Sequence, residues 1–144
     1  MMDSGKISAG GHGTIEEIVG SNRLRLQAEQ NGLAIAVMLL SAHTPGAPVV
    51  DQKGKFVGFI SEFNLLQALA DGKDLNQVKA KDLMVKDRVP ITVYTTISEA
   101  VKIMEKSRFL NLPVEKDGLV IGCITRRDLL HAWIKFGLGL EWQS

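Results

Sequence analysis

The chain has 144 residues, 45% hydrophobic and 23% charged, which suits about one ordinary globular domain or two very small ones packed together. Its 17 basic and 16 acidic residues nearly cancel, which argues against bulk nucleic-acid binding through a strongly basic surface. The single cysteine, Cys123, excludes an internal disulfide and a multi-cysteine metal site. No apolar run approaches the ~20 residues of a membrane span, and no signal pattern opens the chain, so a cytoplasmic protein is expected.

Residues 1–13, MMDSGKISAGGHG, are Gly/Ser-rich and aperiodic and read as a flexible arm. They do not form a phosphate loop, because no Gly-Lys-Ser/Thr ending follows and no strand precedes. A helix is expected near 32–42, a strand over 48–51, a turn at Lys53-Gly54, a strand over 55–60 and a helix over 62–70. Residues 72–81 are polar and read as a connector. Beyond it, ITV (91–93) is a short strand by its β-branched content, and Ser98 to Ser107 puts Ala100, Val101, Ile103 and Met104 on one apolar helical face. Pro113-Val114 begins a strand, Asp117-Gly118 turns the chain, and LVIGCI (119–124) returns, with Cys123 read as a buried inert thiol. Thr125 ends that strand and caps a helix running to about Lys135. In the closing stretch WIKFGLGLEWQS, Trp133, Phe136, Leu138, Leu140 and Trp142 crowd into ten residues. They pack on the last helix or a neighbouring subunit, or they present a surface to a partner protein.

The chain contains itself twice. VGFISEFNLL (57–66) and IGCITRRDLL (121–130) share one layout at an offset of 64, with Ser61 facing Thr125 and Asn64 facing Asp128. Pro48-Val49 faces Pro113-Val114 at 65, and Ala34, Met38 and Ser41 face Ala100, Met104 and Ser107 at 66. Glu17-Ile18-Val19 lines up with Asp82-Leu83-Met84. The organisation read from this is an arm (1–13), a first repeat (14–71), a linker (72–81), a second repeat (82–136) and a tail (137–144). A unit of about 60 residues is marginal alone, so the two copies are expected to pack sheet to sheet.

The repeated corners admit two readings. Ser-x-x-Asn and Thr-x-x-Asp are N-terminal capping arrangements that need no ligand. A helix N-terminus is equally a seat for phosphate. There the Thr125 hydroxyl can donate, Arg126 or Arg127 can add charge-assisted contacts, and Asp128 can accept from both hydroxyls of a ribose. The first corner is the weaker version, with Glu62 where the second copy has arginine and a neutral Asn64.

The motifs also carry a resemblance. KDLMVKDRVPITVYTTISEAVKIM followed by RFLNLPVEKDGLVIGCITRRDLL, together with APVVDQKGKFVGFIS and NLL in the first copy, resembles a tandem pair of cystathionine-β-synthase (CBS) domains over about residues 14–136. The first copy departs from the pattern, lacking the Thr-Thr pair and carrying HTPGAPV for RFLNLPV. The resemblance implies an α/β (α+β) fold of two β-α-β-β-α units packed through their sheets about a pseudo-twofold axis. It also implies adenosyl ligands (AMP, ADP, ATP or S-adenosylmethionine) in the clefts between them, and association of two pairs into a flat disc. Carried onto this chain, Asp128 holds the ribose and Thr125 the phosphate, while Thr95 or Thr96 and the backbone around Asn111, Leu112 and Pro113 line the adenine. Ser61, Asn64, Ala47 and Pro48 are the first-copy equivalents.

The expectation is therefore a regulatory module rather than an enzyme, with no obligatory cofactor, binding an adenine nucleotide, forming a homodimer and acting on an unidentified regulated protein. A ligand-free dimerisation module is the alternative. A nucleic-acid binder using Lys106, Arg108, Arg126 and Arg127 is a third reading. His12, His43 and His131 share no metal-ligand spacing with a third ligand, and Met38, Met84 and Met104 read as core.

Overall fold

A computed structural model describes residues 9–18 and 23–139. The first unit comprises β1 (Leu26–Gln27), α1 (Gly32–Ala42), β2 (Gly46–Val50), β3 (Phe56–Ser61) and α2 (Glu62–Ala70). A short helix α3 (Ala80–Leu83) leads to the second unit: β4 (Ile91–Thr92), α4 (Ile97–Ser107), β5 (Asn111–Lys116), β6 (Leu119–Thr125) and α5 (Arg126–Leu138). Each unit holds a three-stranded sheet, β1-β2-β3 or β4-β5-β6, whose first pair is parallel and whose second is antiparallel. The parallel pair requires a crossover, and α1 or α4 supplies it. The antiparallel pair closes through a tight turn, where Gly54, Asp117 and Gly118 take positive φ of 82°, 53° and 81°. The fold is thus mixed α+β, built twice, as the sequence repeat predicts.

The crossover helices match residue for residue. Each begins on a capping side chain, Asn31 or Thr96, and each ends on a left-handed residue, His43 or Arg108. Their buried positions, Ile35 and Leu39 against Ala100 and Met104, stand 65 apart throughout. The offset of 66 read from Ala34 and Ala100 is therefore corrected, since Ala34 is exposed and Ile35 takes the core position. Met104 lies in the second core, and Met38 and Met84 pack against the first.

Two hydrophobic cores form, one per sheet, and their membership does not follow the linear division of the chain. Ile15 packs with Val93, Ile97 and Leu129 of the second unit, while Leu75, Ala80 and Leu83 pack with Ile35, Ile60 and Leu65 of the first. The segments that precede the repeats are exchanged. Ile15 N donates to Thr95 O (2.9 Å) and Glu16 N to Val93 O (2.7 Å); the counterparts are Ala80 N to Gln30 O (2.8 Å) and Lys81 N to Ala28 O (2.9 Å). Residues 72–81 are accordingly more than a polar connector, because Leu75 and Ala80 are buried. Surface ion pairs fasten the exchange, Lys79 and Lys81 to Glu29 (2.8 and 3.0 Å) and Lys116 to Glu16 (3.3 Å). Such exposed pairs contribute little individually.

The end of the expected flexible arm also departs from its reading. Residues 10–12 form a 3-10 turn against α5. A Cβ on Gly10 would stand 2.1 Å from the Trp133 carbonyl oxygen, and one on Gly11 would stand 2.5 Å from the Trp133 ring. Only residues without side chains let the backbone lie this close. Trp133 and Phe136 pack against the second core, so that part of the aromatic tail belongs to the last helix. Residues 1–8, Val19, Leu140 and Trp142 lie outside the described residues.

Candidate functional site

Both corners sit at the seam between the sheets. Gly46 pairs with Ser61 and Asn111 with Thr125, and the Asn111 Nδ2 donates across the seam to Gly46 O (3.0 Å). Both corners form the capping box that their spacing predicts. Thr125 N donates to Asp128 Oδ2 (2.9 Å) and Asp128 N to Thr125 Oγ1 (3.2 Å). Ser61 N donates to Asn64 Oδ1 (2.8 Å) and Asn64 N to Ser61 Oγ (3.1 Å), and the Ser61 hydroxyl donates to the same Oδ1 (2.9 Å). A carboxylate accepts more hydrogen bonds than this one, so the cap does not exhaust the acceptor capacity of the group.

The other predicted residues divide. Strand alternation puts Asn111 and Pro113 on the face that looks across to the first sheet, and turns Leu112, 1% exposed, into the second core. Pro48 and Ala47 divide likewise, Ala47 being fully buried in the first core. Leu112 and Ala47 therefore offer a ligand only their backbone. Thr95 and Thr96 do not join the corner. Thr92 lies opposite Glu115 while Thr125 lies opposite Asn111. Four residues of strand, about 13 Å, separate the two ends of the sheet. Thr96 instead caps α4, accepting from Glu99 N (3.1 Å), and Thr95 O receives Ile15. Arg126 points to the outer side, lining a groove between α4 and α5 with Arg108, Phe109 and Trp133. Arg127 is exposed. His43 is the α1 C-cap (φ 51°).

The sequence reading missed the residue that dominates the first cleft. The Arg88 guanidinium lies 3.6 Å from the Phe59 ring centre and 4.1 Å from that of Phe109. Both rings therefore pack against the one cation. Its Nη1 donates to Asn111 Oδ1 (3.1 Å) and O (3.3 Å). Among the described residues its Nε is buried without a hydrogen-bond partner, with Asp87 3.9 Å away. Burial is the main influence on the group and lowers its pKa. Phe59 stands two positions before Ser61 on β3, on the same face, so the cation occupies the cleft beside the Ser61 corner. The available signal was the repeat itself, which pairs Arg88 with Arg23 at the 65-residue spacing of the crossover helices.

The second cleft is open. A cavity of about 390 Å³ has Val93, Val114 and Ile124 among its apolar walls and Arg23, Arg25 and Lys116 among its charged ones, with Cys123 at the position equivalent to Phe59. Cys123 stands two residues before Thr125, so the cavity runs along β6 towards the Thr125–Asp128 corner, with Glu16 and Lys116 at its far end. Arg25 Nη1 donates to Val120 O (3.2 Å). The Cys123 thiol is buried, and burial pushes its pKa up to about 12. It should resist a neutral-pH thiol reagent in the native protein and react promptly once urea unfolds the chain. Rapid native labelling would contradict this burial. Because the folded value is the higher one, the associated stabilisation is full below about pH 9 and is lost as pH rises towards 12.

Two β-α-β-β-α repeats meeting through their sheets, with a capped helix at each seam corner, define a paired-repeat fold with two unlike clefts. A family model for the CBS domain matches residues 25–71 and 80–135, and the chain belongs to that family. An uncharacterized protein of Methanocaldococcus jannaschii, MJ1225, is 26% identical over 89% of this chain and 44% of its own length. A homoserine O-acetyltransferase of Methanosphaera stadtmanae is 25% identical over 84% of this chain and 24% of its own. The chain thus spans less than half the length of these two relatives. Among solved structures, the CBS domain of a membrane protein from Sphaerobacter thermophilus superposes with a TM-score of 0.72 at 24% identity, covering 90% of this chain and 93% of that one. CBSX2 in complex with AMP gives 0.72 at 23%, covering 85% and 97%. The CBS pair of MJ0100 with 5'-methylthioadenosine and S-adenosylmethionine gives 0.71 at 21%, covering 82% and 93%.

Proposed function

We propose that the chain is a regulatory module, not a catalyst, that binds AMP, ADP, ATP or another adenosyl ligand beside the Thr125–Asp128 corner and passes its occupancy to a partner protein. The observation that carries the reading is the open cleft, where a cavity with apolar walls and Arg23 and Arg25 on its lining runs along β6 towards a helix N-terminus bearing a hydroxyl and a carboxylate. Phosphate is drawn to the helix terminus and the cations, the ribose hydroxyls donate to Asp128, and the base lies on the apolar walls. The ligands in the CBSX2 and MJ0100 structures support the adenosyl class. Signalling follows from linkage: a ligand that favours one arrangement of the repeats strengthens, by the same factor, any partner that prefers that arrangement. The same reading places the module in the cytoplasm; among the described residues no helix is long and apolar enough to cross a membrane.

A thermal-shift screen against AMP, ADP, ATP, S-adenosylmethionine and GTP tests the reading. Ligand at 100 times its Kd should stabilise the native state by about 2.7 kcal/mol. The expected result is a shift with an adenosyl ligand and none with GTP. Silence with all of them would sink the reading and leave a ligand-free interaction module.

The proposed module works as a homodimer. The duplicated unit presents the same kind of apolar helical surface twice, with Val37, Leu40, Phe63 and Leu66 exposed on α1 and α2, and Leu130 and Ile134 on α5. A second copy related by a twofold axis can cover like with like. Light scattering should give twice the mass of one chain, and Leu66→Glu with Leu130→Glu should give the folded monomer. A wild-type monomer at micromolar concentration would refute the dimer.

A further inference from the structure

We infer that Arg88 is a built-in occupant of the first cleft, holding shut a slot between Phe59 and Phe109 that otherwise accepts an uncharged planar heterocycle such as a nucleoside base. The inference deepens the adenosyl-ligand reading by assigning the two clefts different states and different chemistry.

Repeat symmetry supplies a control for each contact. Arg88 corresponds to Arg23, Phe59 to Cys123 and Phe109 to Thr44. Where the aromatic pair is present the arginine packs against both rings, with only 11% of its side chain exposed. Where a thiol and a hydroxyl replace the rings there is no pair of aromatic faces to hold the cation, and Arg23 is an exposed wall of an open cavity. The rings, rather than the arginine alone, therefore decide which cleft is closed.

A guanidinium and a purine share the properties this slot selects. Both are flat, both stack on aromatic faces, and both carry N–H donors in the plane, such as those Arg88 offers to Asn111 Oδ1 and O. The buried Nε without a hydrogen-bond partner shows that Arg88 fits the slot imperfectly. Charge at the rim sets the class of guest. Asp87 lies beside the slot, its Oδ1 3.9 Å from Arg88 Nε. With Arg88 removed, this carboxylate repels a phosphate, so the emptied slot favours adenosine over AMP.

The test is calorimetric titration of adenosine and of AMP into the full chain, its Asp128→Asn variant, and each of these carrying Arg88→Ala. Wild type should bind one AMP per chain. Arg88→Ala should add one adenosine site in both backgrounds, and methylguanidinium should compete for that site alone. If Arg88→Ala does not fold, Arg88→Lys decides, because it keeps the positive charge but not the plane and should open the same site. Wild type binding two AMP per chain, or no added adenosine site in a folded Arg88 variant, would overturn the inference while leaving the second-cleft reading intact. Wild type binding none of AMP, ADP, ATP and S-adenosylmethionine while Arg88→Ala gains adenosine would do the reverse.

Discussion

Replacing Asp128 with asparagine should leave the protein folded and weaken binding of the proposed adenosyl ligand by ten- to a hundredfold. The first repeat shows why the fold survives. Asn64 already performs the same capping task there, its Oδ1 accepting from Ser61 N at 2.8 Å while its own N–H reaches Ser61 Oγ at 3.1 Å. Asp128 Oδ2 takes the equivalent Thr125 N–H at 2.9 Å, so an amide oxygen can stand in for it. What asparagine cannot reproduce is the charged acceptor that the proposed function assigns to two ribose hydroxyls. Hydrogen bonds to charged groups contribute about 1.5–3 kcal/mol each, so even one weakened bond accounts for tenfold. Asp128→Ala confounds the question, because it also removes a cap worth about 1 kcal/mol. Calorimetric titration measures the affinity, and a urea melt shows the cap intact. Unchanged affinity in the asparagine variant would mean that this carboxylate serves only its own helix.

Ile15→Ala should cost about 2–4 kcal/mol of stability, a large share of what a domain this size possesses. Read along the chain, Ile15 looks like the edge of the first repeat, where truncation would cost little. In the fold it is 2% exposed and packed among Val93, Ile97 and Leu129 of the second core. Removing its side chain leaves a cavity under α4 and α5, which the rigid sheet cannot close. Equilibrium urea denaturation gives the value directly. A loss below about 1 kcal/mol would mean that the leading segment is laid on the second unit without supporting it.

Local periodicity made the elements readable. The helices over 32–42 and 62–70 have the bounds expected of them, and the strands lie within two residues of theirs. Their apolar spacing and flanking turn residues act over a few positions, which is the range a single sequence reports. Partner choice acts over longer distances and was hidden. Glu17-Ile18 aligns with Asp82-Leu83 whichever sheet each segment joins, so the exchange left no local trace. The consecutive glycines before Thr14 resembled a solvated arm because their function is to lack side chains beneath Trp133. At the candidate site the capping boxes followed from a three-residue spacing. Excluding Thr95 and Thr96 from the corner required the strand register. Arg88 sat in a polar stretch and looked like any surface cation, because its partners Phe59 and Phe109 lie well away on either side of it in sequence.

The exchanged segments make this tandem repeat unlike beads on a string. A backbone bridge joins Thr14 to Thr96 and another joins Asn31 to Lys79, so each half is completed by chain that precedes the other. Each closure joins residues far apart along the chain, 14 to 96 and 31 to 79, so each is opposed by the entropy of a long loop. Neither half has a finished edge to rest on while the other is open. The two copies should therefore melt in one transition, and a duplication that began as two interchangeable units now behaves as a single indivisible one.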